Sequence, residues 1–464
     1  MRKAQMFSPL KNKDYTRLLC AQLIALLGTG LTTVALALLA FQLADEDAGR
    51  VLGTALAIKM VAYVVLAPVA GGIAPLVPRR AYLIALDLAR AGLVLCLPFV
   101  TQIWQIYVLI FLMQACSAGF TPVFQATIPD ILENEEEYTK ALSLSRLAYD
   151  VESLVSPALA GAALLVMGFS GLFVANGFAF LASALLVFCV RLPSAKPVST
   201  EVTWRDRITF GARAYLATPR LRGLFAMSMA VSAAGSMVIV NTVVYVRSTL
   251  GLEDAWTAAL LAAFGAGSMA AALCLPKVLA QVAEKPVAMG AGVLMAWALA
   301  AGLLMPGFVV VSLLWFCIGV GYSTVLVLAG RLLQRSASKE DRPAYFAAQF
   351  ALSHACWLVT YPLAGWLGSA FGLQTAFLGL SVLVTLSVTA GYFVWPGNDL
   401  WELEHNHPAQ DHAHLHVHDA HHQHDHEGWE GPEPHSHPHH HTAMRHRHDF
   451  VIDFHHARWP NLPG

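Results

Sequence analysis

Val155-Ser156-Pro157-Ala158-Leu159-Ala160-Gly161 and Thr360-Tyr361-Pro362-Leu363-Ala364-Gly365 are two copies of one pattern, a proline leading into small residues that end in glycine. Pro157 and Pro362 stand 205 positions apart, and the matching glycines 204. Each copy lies inside a long apolar stretch. A bilayer core needs about 20 consecutive apolar residues as a helix, because no lipid-facing backbone polar group can go unpaired there. Working outward, stretches of that kind run approximately 18–43, 51–74, 82–100, 104–126, 142–168, 170–191, 223–246, 255–279, 287–305, 308–331, 344–370 and 373–395. The copies fall in the fifth and eleventh of these twelve.

The whole-chain averages agree. Of 464 residues, 56% are hydrophobic and 13% charged, and the mean hydropathy is +0.56. Soluble proteins carry about 25% charged residues, so a soluble enzyme, a disordered scaffold and a nucleic-acid binder are excluded. The first stretch is too long for a signal peptide, follows Arg2, Lys3, Lys11, Lys13 and Arg17, and leads into further spans. Loop Lys and Arg stay cytoplasmic. With the N-terminus inside, inner segments hold 18 of them and outer loops only Arg50 and Arg247, so both termini are expected in the cytoplasm.

Four regions follow. Residues 1–191 and 223–396 are six-helix halves, joined by a cytoplasmic linker, 192–222, whose Trp204-Arg205-Asp206-Arg207 run is basic and amphipathic, as suits a segment on the membrane surface. Residues 397–464 are a histidine-rich tail. The net charge of −1 conceals a split, since the tail holds 11 acids against 3 bases while the body carries +7. The fold class is therefore an all-α membrane protein of twelve transmembrane helices in two pseudo-repeated halves. That is the repeat logic of secondary transporters, with a substrate path between the halves.

The layout and several motifs resemble the major facilitator superfamily, and more narrowly its exporter branch. The motifs are Pro129-Asp130-Ile131-Leu132 with the charged stretch after it, the Ser-Pro-Ala-Leu-Ala-Gly run at 156–161, and Asp87-Leu88-Ala89-Arg90. With the tail included, the chain is similar to bacterial nickel-resistance permeases of that superfamily. The resemblance implies an inner-membrane exporter and a gating or coupling role for Asp87 and Arg90. Their i,i+3 spacing also allows a self-satisfied ion pair. In the family's loop between spans two and three, the first Gly and the terminal pair survive here as Gly71 and Arg79-Arg80, but Pro75 replaces the usual Asp and Pro78 the second Gly, which puts the customary charge-latch role of that loop in question.

Ionisable side chains at membrane depth are costly and so are functional candidates. In span five Ser145, Tyr149, Glu152, Ser153 and Ser156 share one helical face. Arg146 and Asp150 lie beside it, four apart, and can pair. Glu152 has no obvious partner on its own helix. A carboxylate there can exchange protons near neutral pH or ligate a divalent cation. His354, the one histidine outside the tail, maps by the repeat onto Tyr149 and so onto the Glu152 face. It reads either as a hydrogen-bonded core residue or as a ligand for Ni, Co or Zn. Lys59 is expected to snorkel outward with no role. Gln114, Ser117, Thr121 and Gln125 form one face of span four, and Met237, Asn241 and Tyr245 another in span seven; both rows can line a cavity or bond between helices. Seven cysteines form no Cys-x-x-Cys pair.

In the tail, 19 histidines lie between His405 and His456, with little to build a core, so disorder without a ligand is expected. His412, His414, His416 and His418 alternate. His421, His422, His424 and His426 follow, then His435, His437, His439, His440 and His441. Neutral imidazoles without cysteine favour Ni(II), Co(II), Zn(II) or Cu(II) over Cu(I).

The expectation is a secondary transporter, not an enzyme: no phosphate-binding Gly-x-x-x-x-Gly-Lys-[Ser/Thr] loop appears. It would export a divalent metal, Ni(II) first, against inward protons, as a monomer in the bilayer with no cofactor. The alternatives are an exporter of a siderophore or drug-like molecule with a metal-sensing tail, and a non-transporting metal reservoir.

Overall fold

The computed structural model describes residues 6–44, 48–192, 203–253 and 255–397, and in the tail 402–407, 410–416, 435–441, 444–449, 451–452 and 459. The first half holds α1 (Lys13–Ala44), α2 (Ala48–Ile73), α3 (Arg79–Cys96), α4 (Ile103–Ile131), α5 (Glu135–Leu164) and α6 (Phe169–Phe188). A shorter α7 (Trp204–Ala217) leads to the second half: α8 (Pro219–Val244), α9 (Ala255–Leu279), α10 (Glu284–Gly302), α11 (Phe308–Ser336), α12 (Arg342–Phe371) and α13 (Leu373–Val394). Ten of the twelve long helices are apolar enough to cross a bilayer on length and composition alone. The other two, α5 and α12, have 30 residues each and carry the polar groups of the interior.

The two halves repeat one another. Corresponding helices from α2/α9 to α6/α13 begin 204 to 207 residues apart, and α4 and α11 are both 29 residues long at an offset of 205. Helix starts are set locally. Asn134 caps α5 by accepting from the backbone N–H of Glu136 and Glu137 at 3.0 and 3.1 Å, with three glutamates in the positive first turn. Each half packs its own apolar interior. Phe41, Phe178, Leu185, Leu313 and Leu386 are exposed on the outside, as suits side chains whose solvent is lipid.

The linker helix α7 does more than lie on a surface. Phe210, Gly211, Ala214 and Tyr215 are buried against the bundle. A Cβ on Gly211 would stand 2.3 Å from the Ala344 carbonyl oxygen and one on Gly72 3.3 Å from Ile208, so α7 is wedged against both α12 and the end of α2. This end of the bundle is called the linker end below.

The described residues of the tail include β1 (Glu402–His407), β2 (Gln410–His416), β3 (His435–His441) and β4 (Met444–Asp449), paired antiparallel as β1–β4 and β2–β3. Histidine content argued against a hydrophobic core, but alternate spacing also suits strands, whose ladders satisfy the backbone without one. Of the sequence-nominated ligands, His418, His421, His422, His424 and His426 lie outside the described residues.

Candidate functional site

The polar stripe on α5 faces α1 and the opposite half. Glu152 is half-buried and its carboxylate lies against Gly30 of α1, where a Cβ would come within 2.7 Å of Glu152 Oε1 and 2.2 Å of Ser156 Oγ. Only glycine leaves room for that carboxylate. One turn earlier Arg146 and Asp150 form the expected i,i+4 ion pair. Ser268 of α9 completes it, donating to Asp150 Oδ2 at 2.8 Å and accepting from Arg146 Nε at 3.1 Å. Asp150 is thus a buried, paired group that ties the two halves together.

Lys59 does not stand apart from this site. It is half-buried on α2 with its ammonium 5.7 Å from the Tyr63 ring centroid and within electrostatic reach of both Glu152 and His354. This corrects the snorkelling expectation: the rotation of α2, set by packing, turns Lys59 inward. Tyr63 donates to Gln114 Oε1 at 2.7 Å, and its ring meets the His354 ring edge-on at 4.7 Å. His354 Nδ1 lies 2.7 Å from the Phe350 carbonyl oxygen. A carbonyl only accepts, so Nδ1 carries the proton and neutral His354 keeps its Nε2 lone pair for a ligand. Lys59 of α2 therefore lies within electrostatic reach of Glu152 in one half and of His354 in the other. Sequence reasoning missed Lys59 and Tyr63, although their i,i+4 spacing inside an apolar span was a usable signal.

The α4 row divides. Thr121 and Gln125, with Gln22, Thr29, Tyr149 and Arg90, line a cavity of about 60 Å³ within the first half, room for a few waters at most. Gln114 instead bonds Tyr63, and Ser117 bonds back to the Met113 carbonyl at 3.0 Å. Arg90 pairs with Asp87, whose other oxygen accepts from Ser183 at 2.8 Å. The guanidinium is sandwiched between the Phe120 and Phe180 rings at 4.1 and 4.5 Å. Asn241 is corrected: it is buried and donates to the Ala364 carbonyl at 3.1 Å, joining α8 to α12 instead of lining a cavity. A row of polar residues at helical spacing serves either purpose, and here the neighbouring helix has filled the space.

At the linker end the halves are bolted together by charges. Asp130, ending α4, pairs with Arg79 of α3 and with Arg342, which opens α12. Glu135 reaches Arg331 and Arg335 at 2.8 and 3.3 Å, and both arginines also reach Glu284. Lys339 binds Glu133 at 2.6 Å and holds its carboxyl below the usual carboxylate range. Tyr138 donates to the Gly330 carbonyl at 3.2 Å, and a Cβ on Gly330 would strike Leu142. The latch that Pro75 appeared to remove is thus built from Asp130 and Arg342. Asp130 sits in the quoted Pro-Asp-Ile-Leu motif, but nothing local in the sequence announces Arg342, 212 residues away.

Among the described side chains no group of three or more His, Cys, Asp or Glu converges as a metal cage. Around Lys59 the described interior places the Glu152 carboxylate and the His354 imidazole.

Residues 18–325 match the Major Facilitator Superfamily. An uncharacterized MFS-type transporter, YfiS, of Bacillus subtilis (strain 168) is 30% identical over 178 residues, 38% of this chain. The match spans 42% of that relative's length. Among solved structures, the human organic anion transporter MFSD10 (TETRAN) superimposes with a TM-score of 0.71 at 12% identity, covering 82% of this chain and 99% of that one. A bacterial homologue of the iron transporter ferroportin, in an outward-facing state, gives 0.69 at 13% identity, covering 82% and 98%. The E. coli fucose:proton symporter gives 0.62 at 13%, again covering 82% and 98%. At these identities the structural likeness speaks for the fold. The twelve-helix repeat and the matched family together make this chain a membrane-embedded secondary transporter, not an enzyme, and it belongs to the major facilitator superfamily.

Proposed function

We propose that the protein exports a divalent transition metal, Ni(II) first and Co(II) or Zn(II) as alternatives, from a bacterial cytoplasm in exchange for protons. The observation that supports this reading is the placement of Tyr63 between Lys59, 5.7 Å from its ring, and His354, 4.7 Å from it ring to ring, with Glu152 within electrostatic reach of the ammonium. Glu152 supplies an anionic oxygen and His354 a free Nε2, a donor pair suited to borderline divalent ions. Lys59 is a tethered cation that neutralises Glu152 when no metal is present. Metal entering from the cytoplasm displaces the ammonium from Glu152. Protonation of Glu152 from the outer side then weakens its hold on the metal, and Lys59 returns when the proton leaves. The linker end is read as cytoplasmic from the loop charges, so the described state is closed to the cytoplasm, and the Asp130 and Glu135 bolts must part for metal to enter. The tail captures cytosolic metal near that mouth.

The named relatives include an organic anion transporter and an iron-transporter homologue, so the fold alone does not select the cargo. The rival reading, export of a siderophore or drug-like molecule with a metal-sensing tail, requires resistance that is indifferent to His354. Metal resistance in cells separates them. Glu152→Ala is expected to abolish nickel resistance at normal protein level and His354→Ala to reduce it severely. Full nickel resistance in the Glu152→Ala strain would sink the coupling proposal.

A further inference from the structure

Arg79 and Arg80 open α3 side by side and part at once. Arg79 is buried and turns inward to Asp130, whereas Arg80 is exposed on the outer rim of the linker end. There its guanidinium stands 5.5 Å from the centroid of the Phe188 ring, at the last residue of α6. The chain leaves α6 through Cys189 and Val190 to Arg191, which is exposed as well. Two helices thus deliver two outward cations to the neighbourhood of one aromatic ring. Among the described residues neither guanidinium pairs with a carboxylate.

The surrounding charges leave these two arginines open to an anion from outside. The negative carbonyl end of α6 is already met by Arg17 of α1, which donates to the Cys189 carbonyl at 2.8 Å and pairs with Asp14 at 3.1 Å. Asp14 also accepts from the Arg191 backbone N–H at 3.3 Å, which fixes where Arg191 leaves the helix. The first turn of α3 carries the positive end of that helix's dipole and adds to Arg80. Exposed Lys13 lies four residues before Arg17, on the same side of α1. Four cations against one acid leave a local charge of +3. Below this rim, Leu185 and Phe188 of α6 and Leu88 of α3 face outward, where the solvent is hydrocarbon. Guanidinium binds phosphate through paired N–H donors. A phosphate-binding rim above an apolar face matches a phospholipid, whereas a soluble anion has no use for the apolar face.

We propose that Arg80 and Arg191, beside Phe188, bind the phosphate of an anionic phospholipid in the leaflet at the linker end. Bound lipid restrains the first turn of α3, from which Arg79 reaches Asp130, and so favours the latched arrangement of the two halves. Neither residue belongs to the Glu152 and His354 interior, so the proposal holds whatever the cargo.

The site is tested by native mass spectrometry of the full-length protein titrated with phosphatidylglycerol, with phosphatidylcholine as the uncharged comparison. Each interfacial cation is worth about fivefold in affinity for an anionic surface. Arg80→Gln with Arg191→Gln is expected to weaken the tightest phosphatidylglycerol adduct by about tenfold or more and to leave phosphatidylcholine adducts unchanged. Arg205→Gln with Arg213→Gln on α7 removes as much charge at the same end and is expected to change the adduct by less than about twofold. Equal losses in the two double variants, or none in either, overturn the site. Displacement of the lipid by millimolar inorganic phosphate overturns the lipid as its occupant. The link to the latch is read in nanodiscs, from spin labels replacing Glu136 and Glu340 in a cysteine-free background. Adding phosphatidylglycerol to phosphatidylcholine is expected to shift the inter-label distances shorter, and not to do so in the Arg80→Gln, Arg191→Gln variant. Distances indifferent to phosphatidylglycerol in the unsubstituted rim overturn that link.

Discussion

In the proposed metal export the interior chemistry turns on Lys59, a cation within electrostatic reach of the Glu152 carboxylate that would take the metal. At a separation of ~6 Å and an effective dielectric of ~20, two unit charges interact by about 3 kcal/mol. Partial hydration and movement of the flexible stem reduce that. Lys59→Met is therefore expected to lower the metal concentration for half-maximal flux by about tenfold and to slow turnover, since no cation then neutralises Glu152 once its proton leaves. Initial-rate transport across a metal series measures both, and an unchanged half-saturation would remove Lys59 from the site. Glu152 and the Arg146–Asp150 pair were legible in the sequence, because spacing along one helix fixes who can share a face or pair. Lys59 was not, because the same residue snorkels or turns inward according to the rotation of α2. Asn241 was misread for a related reason: polar spacing shows a face without showing whether water or a helix lies against it.

At the scale of elements, the junction of α4, α3 and α12 ties the two halves at the linker end, and on the proposed reading it holds that end closed. The carboxylate of Asp130 is buried between the guanidiniums of Arg79 and Arg342. Removing one partner of a buried pair costs roughly 3–5 kcal/mol because the other charges stay buried. Asp130→Ala is thus expected to destabilise the closed linker end by that order and shift the population towards opening there. Spin labels replacing Glu136 and Glu340 in a cysteine-free background report it, as a longer inter-label distance in the variant. An unchanged distance distribution would show that the other bolts, Glu135 with Arg331 and Arg335 and Glu133 with Lys339, suffice for closure. Helix existence was readable from apolar length and caps, and the repeat from two prolines. The latch needed the fold, since Pro75 in the usual motif suggested its loss while the working partners come from opposite halves. The strands of the tail were half legible: the alternation of His412, His414 and His416 was visible, and the register that sets them against His439, His437 and His435 was not.

For the whole molecule, the two halves enclose the polar site, and on the proposed reading the tail raises local metal concentration at the linker end without forming the path. Deleting residues 398–464 is therefore expected to raise the half-saturating nickel concentration several-fold while leaving maximal flux within about twofold; loss of all flux would make the tail part of the path. The Glu152 and His354 interior carries the central claim, that metal moves out as protons move in. The direct test is uptake of Ni(II), Co(II) and Zn(II) into proteoliposomes under an imposed pH gradient, with internal pH followed at the same time. Expected is saturable, gradient-driven Ni(II) movement with opposite proton movement, both lost in Glu152→Ala. Absence of flux for all three metals in the intact protein, or metal flux that is indifferent to the gradient and to Glu152, would contradict it.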